Sequence, residues 1–203
     1  MKILIACEYS GAVRDAFIKR GHEAMSCDLL PTDVPGPHYT GDVFDIIGDG
    51  WDMMIAHPPC TYLTNAASGH LYLKGPEPKE RNEERWSQME EGARFFKALL
   101  DAEIPKIAIE NPIMVGHAKS IIGVTQTQVV QPWMFGHMEQ KATCLWLKGL
   151  PPLTPTNNVK DEMMLLPKNV RERLHYLPPS PDRWKLRSAT YKGIAEAMAE
   201  QWG

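Results

Sequence analysis

The chain has no CxxC pair, no H-x-x-x-H spacing, no apolar run near the ~18 residues of a membrane helix and no basic excess. Each absence removes a class of function. The four cysteines, Cys7, Cys27, Cys60 and Cys144, lie far apart, which argues against a zinc knuckle or a disulfide framework and for reduced thiols in a cytoplasmic setting. The seven histidines are scattered, so no metal is expected. The opening MKILIACEYSG meets Glu8 too soon for a signal-peptide core. With 22 Lys and Arg against 25 Asp and Glu, the formal charge is −3, and any contact with nucleic acid must come from a local patch. No internal repeat is present, which sets aside solenoids and propellers.

What is present describes one globular unit. The 203 residues are 43% hydrophobic and 23% charged, ordinary values for a folded domain. Short apolar runs at Lys2–Cys7, Glu23–Cys27, Trp51–Ala56 and Lys106–Ile109 predict strands. Between them, Val13, Ala16 and Phe17 predict a helix capped by Ser10 and ended by Gly21. Trp86, Met89, Ala93, Phe96 and Leu100 predict a second helix over Glu83–Leu100. Thr127–Gln131 and Ala142–Leu147 predict a final antiparallel pair, and Ile194, Ala197 and Met198 an amphipathic helix over Tyr191–Trp202. Met53-Met54 and Met163-Met164 are expected in the core. Pro31, Pro35, Gly36 and Pro37 mark a loop, and Gly69, Gly75, Pro76 and Pro78 mark a long mobile one after Cys60. Residues 151–187 are Pro-rich, with one short charged helix near 168–175. Strands alternating with helices make this an α/β chain with a mostly parallel sheet and helices on both faces.

In such sheets ligands sit at the carboxyl ends of the strands, where Glu8–Gly11, Asp28, Asp42, Cys60 and Glu110 all fall. Glu8-Tyr9-Ser10-Gly11 offers a helix N-terminus to a cofactor carboxylate or phosphate, or is an ordinary βα turn. Asp28 and Asp42 could accept from ribose hydroxyls and an adenine amino group, or are solvated loop residues. His57-Pro58-Pro59-Cys60 fixes the backbone and presents a thiol at the sheet edge, a nucleophile if neighbours lower its pKa. Glu110 ends an apolar strand, where desolvation is expected to raise its pKa and let it donate a proton near neutrality. The competing reading is a glutamate satisfied by the following turn.

These residues, in this order, resemble the catalytic domain of the S-adenosylmethionine-dependent DNA cytosine-5 methyltransferases, in a short phage or prophage form. The resemblance implies a Rossmann-like class I methyltransferase fold with a core over 1–150, a reduced recognition segment over 151–187 and a closing helix over 188–203. It places S-adenosylmethionine on Glu8, Tyr9, Ser10, Gly11, Asp28, Asp42, Val43, Pro58 and Thr190. It makes Cys60 the nucleophile, Glu110 the group on the cytosine ring, and Pro59, Thr61, Asn111 and Pro112 contacts to the base. The family's Gln-x-Arg-x-Arg is absent, and Lys141 alone could replace an arginine; Thr61 stands where Gln is usual. Segment 151–187 is too short for the family's separate recognition domain. The expected partner is DNA in a host cytoplasm, with a free pyrimidine nucleotide as the alternative substrate and a homodimer or partner subunit as a source of missing surface. A catalytically idle binding protein is the third reading. Amino-group methyltransferases share the fold but carry an aromatic residue where this chain has Cys60.

Overall fold

The computed structural model describes residues 1–75 and 79–203; the expected loop residues Pro76 and Pro78 lie outside them. Seven strands form one sheet: β1 (Lys2–Ala6), β2 (Glu23–Asp28), β3 (His38–Thr40), β4 (Met53–Ala56), β5 (Lys106–Asn111), β6 (Gln128–Val130) and β7 (Thr143–Lys148). Their order is β3-β2-β1-β4-β5-β7-β6. All neighbours are parallel except the β5–β7 and β6–β7 pairs. This is a Rossmann-like, mostly parallel sheet with the antiparallel pair at its end.

Eight α-helices accompany the strands among the described residues: α1 (Ala12–Ile18), α2 (Glu83–Leu100), α3 (Gly116–Ile122), α4 (Lys160–Met164), α5 (Lys168–Arg171), α6 (Arg173–Tyr176), α7 (Arg183–Ser188) and α8 (Lys192–Trp202). The side-chain period of two explains the layering. Leu4, Ala6, Met54, Ala56, Ile107 and Ile109 face α2 and α3 in one core, while Ile3, Ile5, Met53, Ile55 and Ala108 face α1 and α8 in the other. Strands buried on both faces must be apolar throughout, which is why these runs are continuous. Gly193 lets α8 approach closely, since a Cβ there would collide with the Phe135 carbonyl.

Several local expectations are corrected. Ser10 is not the helix cap: Gly11 holds that position at φ 73. The strand edge expected before Asp42 is β3, His38–Thr40, paired in parallel with Ser26–Asp28. The segment after Cys60 is structured where it is described. It contains a 3-10 helix, Asn65–Leu71, and is pinned by a Thr64–Met114 bridge and by Trp86 Nε1 donating to the Leu71 carbonyl at 2.9 Å. The 151–187 region carries three short helices (α4–α6) and most of α7, not one, and α7 runs on to Ser188. Met164 is exposed, unlike the buried Met53, Met54 and Met163.

Candidate active site

The strand order reverses between β1 and β4, which opens a crevice at their carboxyl ends. On one side of it the chain leaves β1 through Cys7, a non-glycine residue with a φ of 57, and turns into α1. The buried Glu8 carboxylate folds back over the helix start: Oε1 accepts from Val13 N at 2.7 Å and Oε2 from Arg14 N at 3.2 Å. Ser10 Oγ donates to the same carboxylate. The expected free helix N-terminus is therefore closed by the chain's own anion, so the turn does not offer those amides to a phosphate or carboxylate.

The far side of the mouth is acidic. Asp28 Oδ1 accepts from Leu30 N at 2.9 Å, and Asp42 Oδ1 from Phe44 N at 3.0 Å. In each case the second oxygen has no partner among the described residues. Burial first, and then the charges of Asp28 and Asp42, push the Cys7 thiol up to about 12. The same causes push Cys27 to about 11. Val43 lies in the core beneath this wall. Tyr9 is covered by α7: its ring lies 5.7 Å from that of Trp184, and its hydroxyl is 3.1 Å from Ser188 Oγ.

The reactive side chains gather at the ends of β4 and β5. His57 N donates to the Ala6 carbonyl at 2.9 Å, holding the start of the His57–Cys60 stretch against β1. Pro58 is buried, and its carbonyl accepts from Asn111 Nδ2 at 3.0 Å. Asn111 is thus a brace between the two strand ends and is fully buried, with Oδ1 lacking a partner. Pro59 and Thr61 are exposed, Pro112 is half-buried, and the Thr61 carbonyl accepts from Arg85.

Glu110 faces a small cavity lined by His57, Lys141, Thr143, Thr190 and Tyr191 among others. His57 Nδ1 lies 3.6 Å from Glu110 Oε2. Burial alone would raise the Glu110 pKa, but His57, Lys141 and Thr143 outweigh it and hold the carboxyl below its ordinary range. The expected proton donor is corrected: at rest Glu110 is a carboxylate. Cys60 stands outside the cavity ring, close enough to feel its charges. Burial and the negative Glu110 raise its thiol, and Lys141 and Arg187 pull it back only in part. Its activation as a thiolate by surrounding cations is therefore not realised in the resting chain.

Lys141 Nζ donates to the Arg187 carbonyl at 2.9 Å, which ties the end of α7 to the site. The residues that sequence reasoning passed over are His57, Thr143 and Arg187. His57 had a signal, since it stands in the stretch that carries Cys60. Thr143 and Arg187 arrive through long-range packing and had none.

No protein-family model matches the chain. No characterised protein matches it in sequence. Among solved structures it is similar to a proposed DNA modification methyltransferase encoded within an E. coli prophage, with 14% identity and a TM-score of 0.47 over 83% of this chain and 56% of that one. It is also similar to the Entamoeba histolytica methyltransferase EhMeth, with 13% identity and a TM-score of 0.47 over 78% and 57% of the two chains. The chain spans somewhat more than half the length of these proteins.

Proposed function

We propose that the protein methylates carbon 5 of cytosine in DNA, with S-adenosylmethionine as methyl donor and Cys60 as covalent nucleophile. The observation that carries this reading is the juxtaposition of a thiol and a carboxylate at adjacent strand ends, braced by Asn111 on the Pro58 carbonyl.

The mouth suits the cofactor. A wall of carboxylates with free oxygens at Asp28 and Asp42 accepts from ribose hydroxyls and an amino group, and its negative field favours a cationic sulfonium over a pyrophosphate. Tyr9, Ser10 and Gly11, at the turn from β1 into α1, and Pro58 and Thr190 are assigned to the same ligand, Thr190 because it lines the cavity that Glu110 faces. When bound, S-adenosylmethionine supplies an electrophilic methyl group.

The chain's own residues make carbon 5 able to take it. Cys60 sulfur bonds to carbon 6 of the ring, the electron pair of the 5,6 double bond shifts to the 4,5 bond, and the pair of the 3,4 double bond moves onto N3, which leaves carbon 5 enamine-like. The thiol proton passes to N3 through the Glu110 carboxylate, so the pair needs no ionised cysteine at rest. After transfer, the carbon 5 proton passes to solvent water, the 5,6 double bond re-forms and Cys60 leaves as a thiolate; the N3 proton then returns through Glu110 to the Cys60 sulfur, restoring thiol and carboxylate. Lys141 adds a fixed positive charge beside both groups. Segment 151–187 supplies the DNA-facing surface.

The test is transfer of labelled methyl from S-adenosylmethionine to duplex DNA and to free dCMP, with Cys60→Ser as control. Label in DNA, lost in the variant while cofactor binding persists, is the expected result. Label in dCMP alone identifies a nucleotide enzyme instead, and retained transfer by Cys60→Ser refutes the nucleophile.

A further inference from the structure

We infer that His57 is a positioning residue for Glu110, holding its Oε2 through Nδ1 so that the other carboxylate oxygen is directed to the ligand. The inference deepens the proposed function and rests on that reading of Glu110.

Two independent observations carry it. His57 Nδ1 lies 3.6 Å from Glu110 Oε2, and the His57 side chain is only 10% exposed. Its second nitrogen, Nε2, is buried without a partner among the described residues. A polar ring atom taken out of water and left unpaired is costly, and it is retained where something entering the site completes it. His57 also lines the same cavity as Glu110. The backbone leaves it little freedom: its N–H is held by β1, and Pro58 follows.

The groups facing the pair come from three elements. Lys141 and Thr143 approach from the start of β7, Tyr191 from the start of α8, and Cys60 from the turn after β4. Lys141, Thr143 and Tyr191 come from β7 and α8, and the Cys60 thiol, which shares the β4 side with His57, is the group consumed in the proposed addition. With His57 Nδ1 turned to Glu110 Oε2, the other carboxylate oxygen of Glu110 is presented to the ligand as an acceptor. That polarity matches the amino edge of a cytosine and opposes the carbonyl edge of a uracil.

The test uses the full chain and compares His57→Phe with His57→Asn, whose amide donor imitates Nδ1–H. Carbon-13 NMR of labelled glutamate carboxyls, with Glu110→Gln to assign the signal, reads the Glu110 titration without substrate or cofactor. His57→Phe is expected to move that titration upward by about one unit. It should also lower kcat for methyl transfer by roughly 100-fold with KM little changed. His57→Asn should recover most of both. An unmoved Glu110 titration in His57→Phe overturns the inference, whatever the activity. A titration that shifts in His57→Phe, while the wild-type protein methylates nothing, supports the coupling and places the failure in the proposed function.

Discussion

Cys60 sits in surroundings that keep its thiol protonated, and this sets how it reacts before any substrate arrives. Alkylation by iodoacetamide should rise about tenfold per pH unit over roughly pH 7 to 9, following the thiolate fraction, with no plateau below pH 9. Lys141→Met removes a charge that favours the thiolate and should slow alkylation by a few-fold at pH 8. Cys7 and Cys27, at about 12 and 11, should stay unlabelled in the folded protein. Peptide mass spectrometry reads all three. An early plateau would mean that Cys60 is ionised at rest. Glu110 has the opposite leaning. Its folded pKa lies below the ordinary value, so its stabilising contribution is present above that value and is lost as pH falls through the folded one. Wild type should therefore melt above Glu110→Gln at neutral pH, with the gap closing in acid below about pH 4. A gap that widens toward acid would reverse the sign of the shift.

At the scale of elements, the entry into α1 shows a local rule replaced by a better-placed group. A serine before an apolar stripe is an ordinary cap, but the buried Glu8 carboxylate reaches two helix amides at once. Glu8→Ala leaves both donors unpaired in a closed space and should cost about 1–3 kcal/mol in urea unfolding, with Glu8→Gln losing less. Equal losses would assign the effect to packing. The same contrast explains what the chain discloses before folding. Strands β1, β4 and β5 are legible because burial on both faces demands unbroken apolar runs, and α2 because Trp86, Met89, Ala93 and Phe96 recur at helical spacing. Strand β3 shows only as an edge before Asp42, since His38-Tyr39-Thr40 is a strand by virtue of its partner, Ser26–Asp28. Helix α3 is not legible, for it begins at Gly116 behind Val115 with no capping side chain. Within the site, Cys60 and Glu110 announce themselves by following apolar runs directly. The coupling of His57 to Glu110 and the nearness of Arg187 to Cys60 exist only once β4, β5 and α7 are assembled.

For the whole molecule, charge is unevenly divided. Residues 151–187 hold seven Lys and Arg against four Asp and Glu, a net of +3 in a chain of −3, which leaves −6 on the remainder. A polyanion is repelled by most of this surface and attracted by one segment of it, so the segment governs both orientation and salt dependence. Lys160, Lys168 and Lys185 are exposed there, and α7 adds Trp184, 49% exposed, with Lys185 Nζ 5.7 Å from its ring centroid. Replacing these three lysines with glutamine should weaken DNA binding across sequences alike and flatten the plot of log affinity against log salt by about one per phosphate contact removed. The matched control changes Lys19, Lys97 and Lys148, which lie in the acidic remainder, and should leave the slope unchanged. Cys60 alkylation should be the same in both triple variants, because Lys141 and Arg187, the cations that bear on the thiol, are untouched. Equal flattening by the two triples would mean that DNA meets the molecule without preference for this face. A slope that neither triple alters would remove 151–187 as the contact and leave the surface to be supplied by a second chain.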